Sequence, residues 1–77
     1  MFYADNFCTY TEDATHYIYT GLCKKTKKPY TVRVPKQDMF RYRNGALIQE
    51  ALASMPAADR EFLMSGYSPE GWKQIFG

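Results

Sequence analysis

The sequence has few of the residues that build disulfide frameworks or closed metal sites. Its 77 residues include two cysteines, Cys8 and Cys23, and one histidine, His16. A disulfide-rich scaffold needs more cysteines than this, and a closed structural zinc site takes four cysteine or histidine ligands. We therefore expect free thiols, buried as small apolar side chains, and neither a metal ion nor another cofactor.

Long apolar runs, repeats and low-complexity segments are also missing. No apolar stretch approaches the roughly 20 residues of a membrane span. The start, MFYADNFCTYTED, lacks the basic and apolar regions of a signal peptide. We expect a single domain over residues 1–77, located in a reducing cytoplasm and without a membrane partner.

Catalytic patterns are equally scarce. His16 stands in a strand-like segment, and no acid lies at a diagnostic spacing from it. The carboxylates are scattered singly, and no loop suitable for an oxyanion hole follows either cysteine. The sequence therefore predicts a protein that is not an enzyme.

The clearest pattern that is present predicts a β-hairpin. Residues 15–23, THYIYTGLC, and residues 29–34, PYTVRV, alternate with period two and are separated by the lysine-rich turn KKTKK. The aliphatic side is the expected core face, with Ile18, Leu22, Val32 and Val34. The exposed face would then carry Tyr17, Tyr19 and Arg33.

Three or four short helices are predicted after the hairpin. Residues 36–44 form a helical segment before Gly45, and an apolar stripe with helical spacing follows, made of Leu47, Ile48, Ala51, Leu52 and Met55. Pro56 begins the next helix and Gly66 ends it.

A last helix begins after Ser68, its predicted N-cap. Its apolar face, with Trp72, Ile75 and Phe76, is expected to dock on the core. Residues 1–14 form either an irregular arm or a third strand. The fold class is α+β, a hairpin packed on short C-terminal helices.

Positive charge is concentrated in one segment, residues 24–43, which holds eight lysines and arginines and one acid, Asp38. Such a block favours an anionic partner, although charged hairpin tips also serve solubility alone. The candidate partner-binding residues are Tyr17, Tyr19, Lys24, Lys25, Lys27, Lys28, Arg33, Arg41 and Arg43. They suit a protein partner or, as an alternative, a nucleic acid stacked on the tyrosines. A homo-oligomeric structural component is a third possibility.

The segment GALIQEALASMPAADREFLMSGYSPEGW (45–72), preceded by GLCKKTKKPYTVRVP, resembles small uncharacterised proteins encoded by bacteriophages and prophages. Its most specific part is DREFL (59–63) followed by Ser65-Gly66 and Trp72. The chain departs from the pattern at Pro56-Ala57, where those proteins carry a serine-type helix cap. The resemblance implies a phage accessory protein in the bacterial host cytoplasm. It also implies stoichiometric binding of a host protein, a defence complex or a phage nucleoprotein.

Overall fold

A three-stranded antiparallel sheet, in the order β1-β2-β3, organises the computed structural model, which describes residues 2–77. Five short helices complete the α+β fold. The elements are α1 (Tyr3–Phe7), β1 (Thr9–Glu12), β2 (His16–Leu22), β3 (Pro29–Pro35), α2 (Lys36–Arg43), α3 (Ile48–Ala51), α4 (Ala57–Ser65) and α5 (Pro69–Phe76). The predicted hairpin, the third strand and the fold class are confirmed, whereas helix α1 was not predicted. None of the described helices has the length and apolar character that a membrane crossing requires.

The prediction for the two faces of β2 is wrong. Tyr19 pairs with Val32 and Tyr17 with Val34, so the tyrosines share the core face with the valines. Tyr19 is only 6% exposed. Ile18, Thr20 and Leu22, which alternate with the tyrosines, lie on the outer face, where Leu22 is 54% exposed. Both alternations of β2 are apolar enough to be buried, and the pairing with β3 decides between them.

The hydrophobic core lies between the inner face of the sheet and the helices. Val32 and Val34 from β3 are at most 1% exposed, and they join Leu52, Phe62 and Leu63, which are fully buried. The helical side therefore covers one sheet face only, and β1 is exposed along its whole length.

Helix α4 begins and ends at the residues that the sequence predicts. Pro56 precedes it, and Gly66 ends it with a φ of 86°, a conformation that residues with a side chain rarely adopt. A Cβ atom on Gly66 would also come within 2.6 Å of the Tyr3 ring. Because α1 and α4 touch at this point, glycine is required both for its left-handed backbone conformation and for its lack of a side chain.

Helix α3 is shorter than its apolar stripe predicts, and Leu47 on that stripe is 60% exposed. Two arginines bind carbonyl oxygens at the end of the helix and in the loop after it. Arg41 donates to the Ala51 oxygen at 3.0 Å, and Arg60 donates to the oxygens of Leu52 and Met55. These side chains satisfy carbonyl groups that the end of a helix leaves without intrahelical partners.

Candidate binding surfaces

The predicted partner-binding residues do not form one surface. The four lysines lie at the hairpin tip, beside the start of α5. Tyr17, Tyr19 and Arg43 line a cleft between the sheet and helices α1 and α2. Arg33 lies on the outer sheet face, where its guanidinium pairs with Asp13 at 3.0 Å. Arg41 pairs with Asp38 at 3.1 Å as well as binding the end of α3.

The hairpin tip is fixed to α5 through the sulfur of Cys23. The backbone N–H of Thr26 and that of Ser68 both donate to Cys23 Sγ, at 3.5 and 3.3 Å. Gly71 packs so closely that an added Cβ would lie 2.6 Å from this sulfur. Lys24 adds a bond from its N–H to the Gly66 oxygen at 2.8 Å. The tip therefore has a fixed position relative to α5.

The environment of Cys23 also changes the acidity of its thiol. Burial disfavours the thiolate, but hydrogen bonds from Ser68 and Thr26 outweigh burial and bring the thiol pKa down to about 6. Both cysteines are free thiols, and the prediction of burial is confirmed for Cys23 but not for Cys8, which is only partly buried. Cys23 therefore links the tip to α5 as a hydrogen-bond acceptor.

Three of the four tip lysines have no ion pair within residues 2–77. Lys28 faces Glu70 at 3.5 Å, whereas Lys24, Lys25 and Lys27 contact no carboxylate of the described chain. The Lys24 ammonium instead lies 5.1 Å from the centre of the Tyr3 ring and 5.8 Å from the centre of the Tyr67 ring. Their charge is thus available to a partner.

Helix α5 presents aromatic side chains next to these lysines. Tyr67 meets Trp72 edge to face at 5.9 Å, and Trp72 stacks on Phe76 at 4.5 Å. Phe76 is 70% exposed and Ile75 40% exposed, so the prediction that this face docks on the core is wrong for these two residues. Trp72 is partly buried, and its indole nitrogen is enclosed. We call this region the tip–α5 surface, and its residues are Lys24, Lys25, Lys27, Tyr67, Trp72, Ile75 and Phe76.

The second candidate site is a cleft of about 360 Å³, here called the tyrosine cleft. Its aromatic lining comes from β1, β2 and α2 and consists of Tyr10, Tyr17, Tyr19 and Phe40. Its charged lining consists of Asp5, Lys36 and Arg43. Arg43 pairs with Asp5, and Lys36 pairs with Glu12 at 2.8 Å.

Sequence reasoning missed α5 as an exposed surface and Tyr10, Lys36 and Phe40 as cleft residues. The spacing of Trp72, Ile75 and Phe76 predicts an apolar helix face, but the same spacing serves a core and an interface equally well. The cleft residues are far apart in the chain, and their meeting depends on the correct face of β2. The sequence does contain one signal for the correct inward face of β2. Cysteine is a commonly buried residue type, and Cys23 lies on the same alternation as Tyr19.

Within residues 2–77, no three histidine, cysteine, aspartate or glutamate side chains gather as a metal site would require. Comparisons of the chain with protein-family models, curated proteins and solved structures gave no match.

Proposed function

We propose that the protein is a non-catalytic binding protein that holds an acidic protein partner on the tip–α5 surface. The observation that carries this proposal is the position of three unpaired lysines beside an exposed apolar helix face. Phe76, at 70% exposure, has little cover within the described chain. Aromatic side chains are enriched at the centre of protein interfaces, and polar side chains form the rim.

Charge supports an acidic partner in particular. Lys24, Lys25 and Lys27 face no carboxylate of the described chain, whereas the cations elsewhere in the basic segment are largely paired. Unpaired surface charge steers an oppositely charged partner and mainly raises the association rate. The desolvated aromatic side chains then act mainly on the dissociation rate.

Single-stranded nucleic acid is the second candidate, and the row of rings beside the lysines favours it. A protein partner is preferred because Trp72 and Phe76 stack on each other with an interplanar angle of 23°. Each ring thereby covers one of the two faces of the other on which a base could stack. Ile75, also exposed, has no ring and suits an apolar protein contact.

The resemblance to phage accessory proteins supplies the biological setting of the proposal. In that setting the protein acts in the bacterial host cytoplasm, by stoichiometric binding or inhibition of a host protein or defence complex. The partner is therefore sought in a bacterial lysate.

The test is capture from a nuclease-treated bacterial lysate by the wild type and two matched variants. Phe76→Ala removes an exposed apolar side chain from the surface, and Leu47→Ala removes one elsewhere, exposed by 60%. We expect the wild type and Leu47→Ala to retain the same protein, and Phe76→Ala to bind it at least about 30-fold more weakly, as an interface hot spot would. Equal retention by Phe76→Ala would contradict the proposal.

Lysine variants and the salt dependence of binding distinguish a protein partner from a nucleic acid. Replacing Lys24, Lys25 and Lys27 together by serine should slow association, while replacement by arginine should preserve it. Raising the salt from 50 to 500 mM should leave most of the affinity for a protein partner, because its contacts are largely apolar. Capture that nuclease abolishes, with a steep loss of affinity at high salt, would establish the nucleic-acid candidate instead.

A further inference from the structure

The tyrosine cleft shares no residue with the tip–α5 surface and has the properties of a small-molecule site. We propose that it binds a ligand made of one planar aromatic ring and one anionic group, such as a nucleoside monophosphate or an aromatic carboxylate. Its volume of about 360 Å³ lies at the small end of the roughly 300–1,000 Å³ that ligand pockets span. The size thus suits a ligand of one ring system rather than a polymer.

The aromatic lining provides the contact for the ring. Tyr10, Tyr17 and Tyr19 surround one another with centroid separations of 5.5 to 6.4 Å. Tyr10 is 56% exposed and Phe40 68% exposed, so two rings from different elements are accessible at the cleft. An accessible aromatic ring stacks well on a planar heterocycle, whichever heterocycle it is. This lining therefore selects flat ligands.

The charges of the lining favour an anion. Burial raises the pKa values of the Cys8 thiol and the Tyr19 phenol, so both groups are neutral at pH 7. The charged lining then consists of Lys36 and Arg43 against the single carboxylate of Asp5, which gives a net charge of +1. Glu12, the partner of Lys36 at 2.8 Å, is not part of the lining, and counting it brings this charge balance to zero. The preference for an anion therefore depends on the N–H donors that the two cations still offer.

The existing ion pairs leave donors for that anion. Arg43 donates two of its five guanidinium N–H groups to Asp5 and also bonds the Tyr19 side chain, which leaves further N–H groups. Lys36 donates to Glu12 and has two further N–H groups. A phosphate or carboxylate can therefore be bound by either cation while its ion pair remains in place.

The same charges argue against a cationic ligand, although three tyrosines could otherwise form an aromatic cage. The ammonium of Lys36 already lies 5.5 Å from the centre of the Tyr17 ring. A second cation on this ring would be repelled by Lys36 and by Arg43. The cleft is thus suited to the opposite charge.

Isothermal titration calorimetry with four probes tests the proposal: AMP, adenosine, inorganic phosphate and 4-hydroxybenzoate. Tyr10→Ala removes an accessible ring, and Lys36→Gln removes one cation. Phe76→Ala and Lys24→Gln are the matched controls outside the cleft. Thermal melts of all variants ensure that only folded protein is compared.

We expect AMP or 4-hydroxybenzoate to bind more tightly than adenosine and phosphate. Tyr10→Ala should weaken binding of the better probe at least about fivefold through lost stacking. Lys36→Gln should weaken it to a similar extent through lost charge-assisted bonds, without affecting adenosine. Tighter binding of AMP would indicate a nucleotide ligand, and tighter binding of 4-hydroxybenzoate would indicate an aromatic carboxylate. Absence of binding at millimolar concentration, equal binding of adenosine and AMP, or equal effects of the control variants would overturn the proposal.

Discussion

Gly66 is the residue at which two structural requirements coincide. Its φ of 86° ends α4, and its missing side chain makes room for the Tyr3 ring. Tyr3 in turn donates its hydroxyl to the Leu22 oxygen at 2.6 Å, at the end of β2 near the tip. One glycine thus supports the contact between α1, α4 and the hairpin.

Gly45 allows the two requirements at Gly66 to be separated. It too has a positive φ, of 105°, but an added Cβ there would meet no atom within 4 Å. Gly45→Ala should therefore lower the unfolding free energy only through the strain of a positive φ on alanine, by about 1–2 kcal/mol. Gly66→Ala should lose about 1–3 kcal/mol more, through the steric conflict with Tyr3. Urea denaturation measures both values, and equal losses would contradict the packing of Tyr3 on Gly66.

Among the elements, helix α3 and the loop after it show how burial differs along one apolar stripe. Leu52 is fully buried, whereas Leu47, five residues earlier, is 60% exposed. Arg41 binds the carbonyl oxygen of the last residue of α3, Ala51, and Arg60 binds that of Leu52, and both bonds hold this segment in place. The stripe therefore stabilises the fold through its C-terminal half.

Leu52→Ala should lower the unfolding free energy by about 2–5 kcal/mol, because it removes buried methyl groups and leaves a cavity. Leu47→Ala, the same chemical change at an exposed position, should change it by less than about 0.5 kcal/mol. Denaturant titration followed by circular dichroism checks both. A loss at Leu47 as large as at Leu52 would mean that Leu47 is buried, against the packing described here.

The elements were more predictable from the sequence than their orientations. Strands β2 and β3, the cap at Ser68 and the end of α4 at Gly66 follow from local chemistry, because turn, capping and period-two signals act within a few residues. The inward face of β2 depends on pairing Tyr19 with Val32, which is set by the four-residue turn from Lys24 to Lys27. The alternation of residues along β2 does not by itself distinguish Ile18 from Tyr19 as the residue that faces the core.

In the whole molecule, the basic segment seen along the chain becomes a set of separate pairs. Arg33, Lys36 and Arg43 meet Asp13, Glu12 and Asp5, which come from the acidic N-terminal segment. A linear charge count cannot anticipate these pairings, because they join residues far apart in the sequence. Within residues 2–77, the cations of this segment without an ion pair are Lys24, Lys25 and Lys27 at the tip, beside α5, and their charge supports the functional proposal.

The most direct test of the central claim, that a protein partner binds the tip–α5 surface, uses the single tryptophan of the chain. Trp72 gives one indole N–H resonance in a ¹⁵N-labelled sample, to which the partner purified by lysate capture is added. We predict that this resonance and the amides of residues 24–27 and 67–76 shift or broaden, while those of the outer sheet face, Thr9, Thr11, Thr20 and Thr31, stay unchanged. Perturbation of the sheet face with unchanged amides at residues 24–27 and 67–76 would contradict the claim.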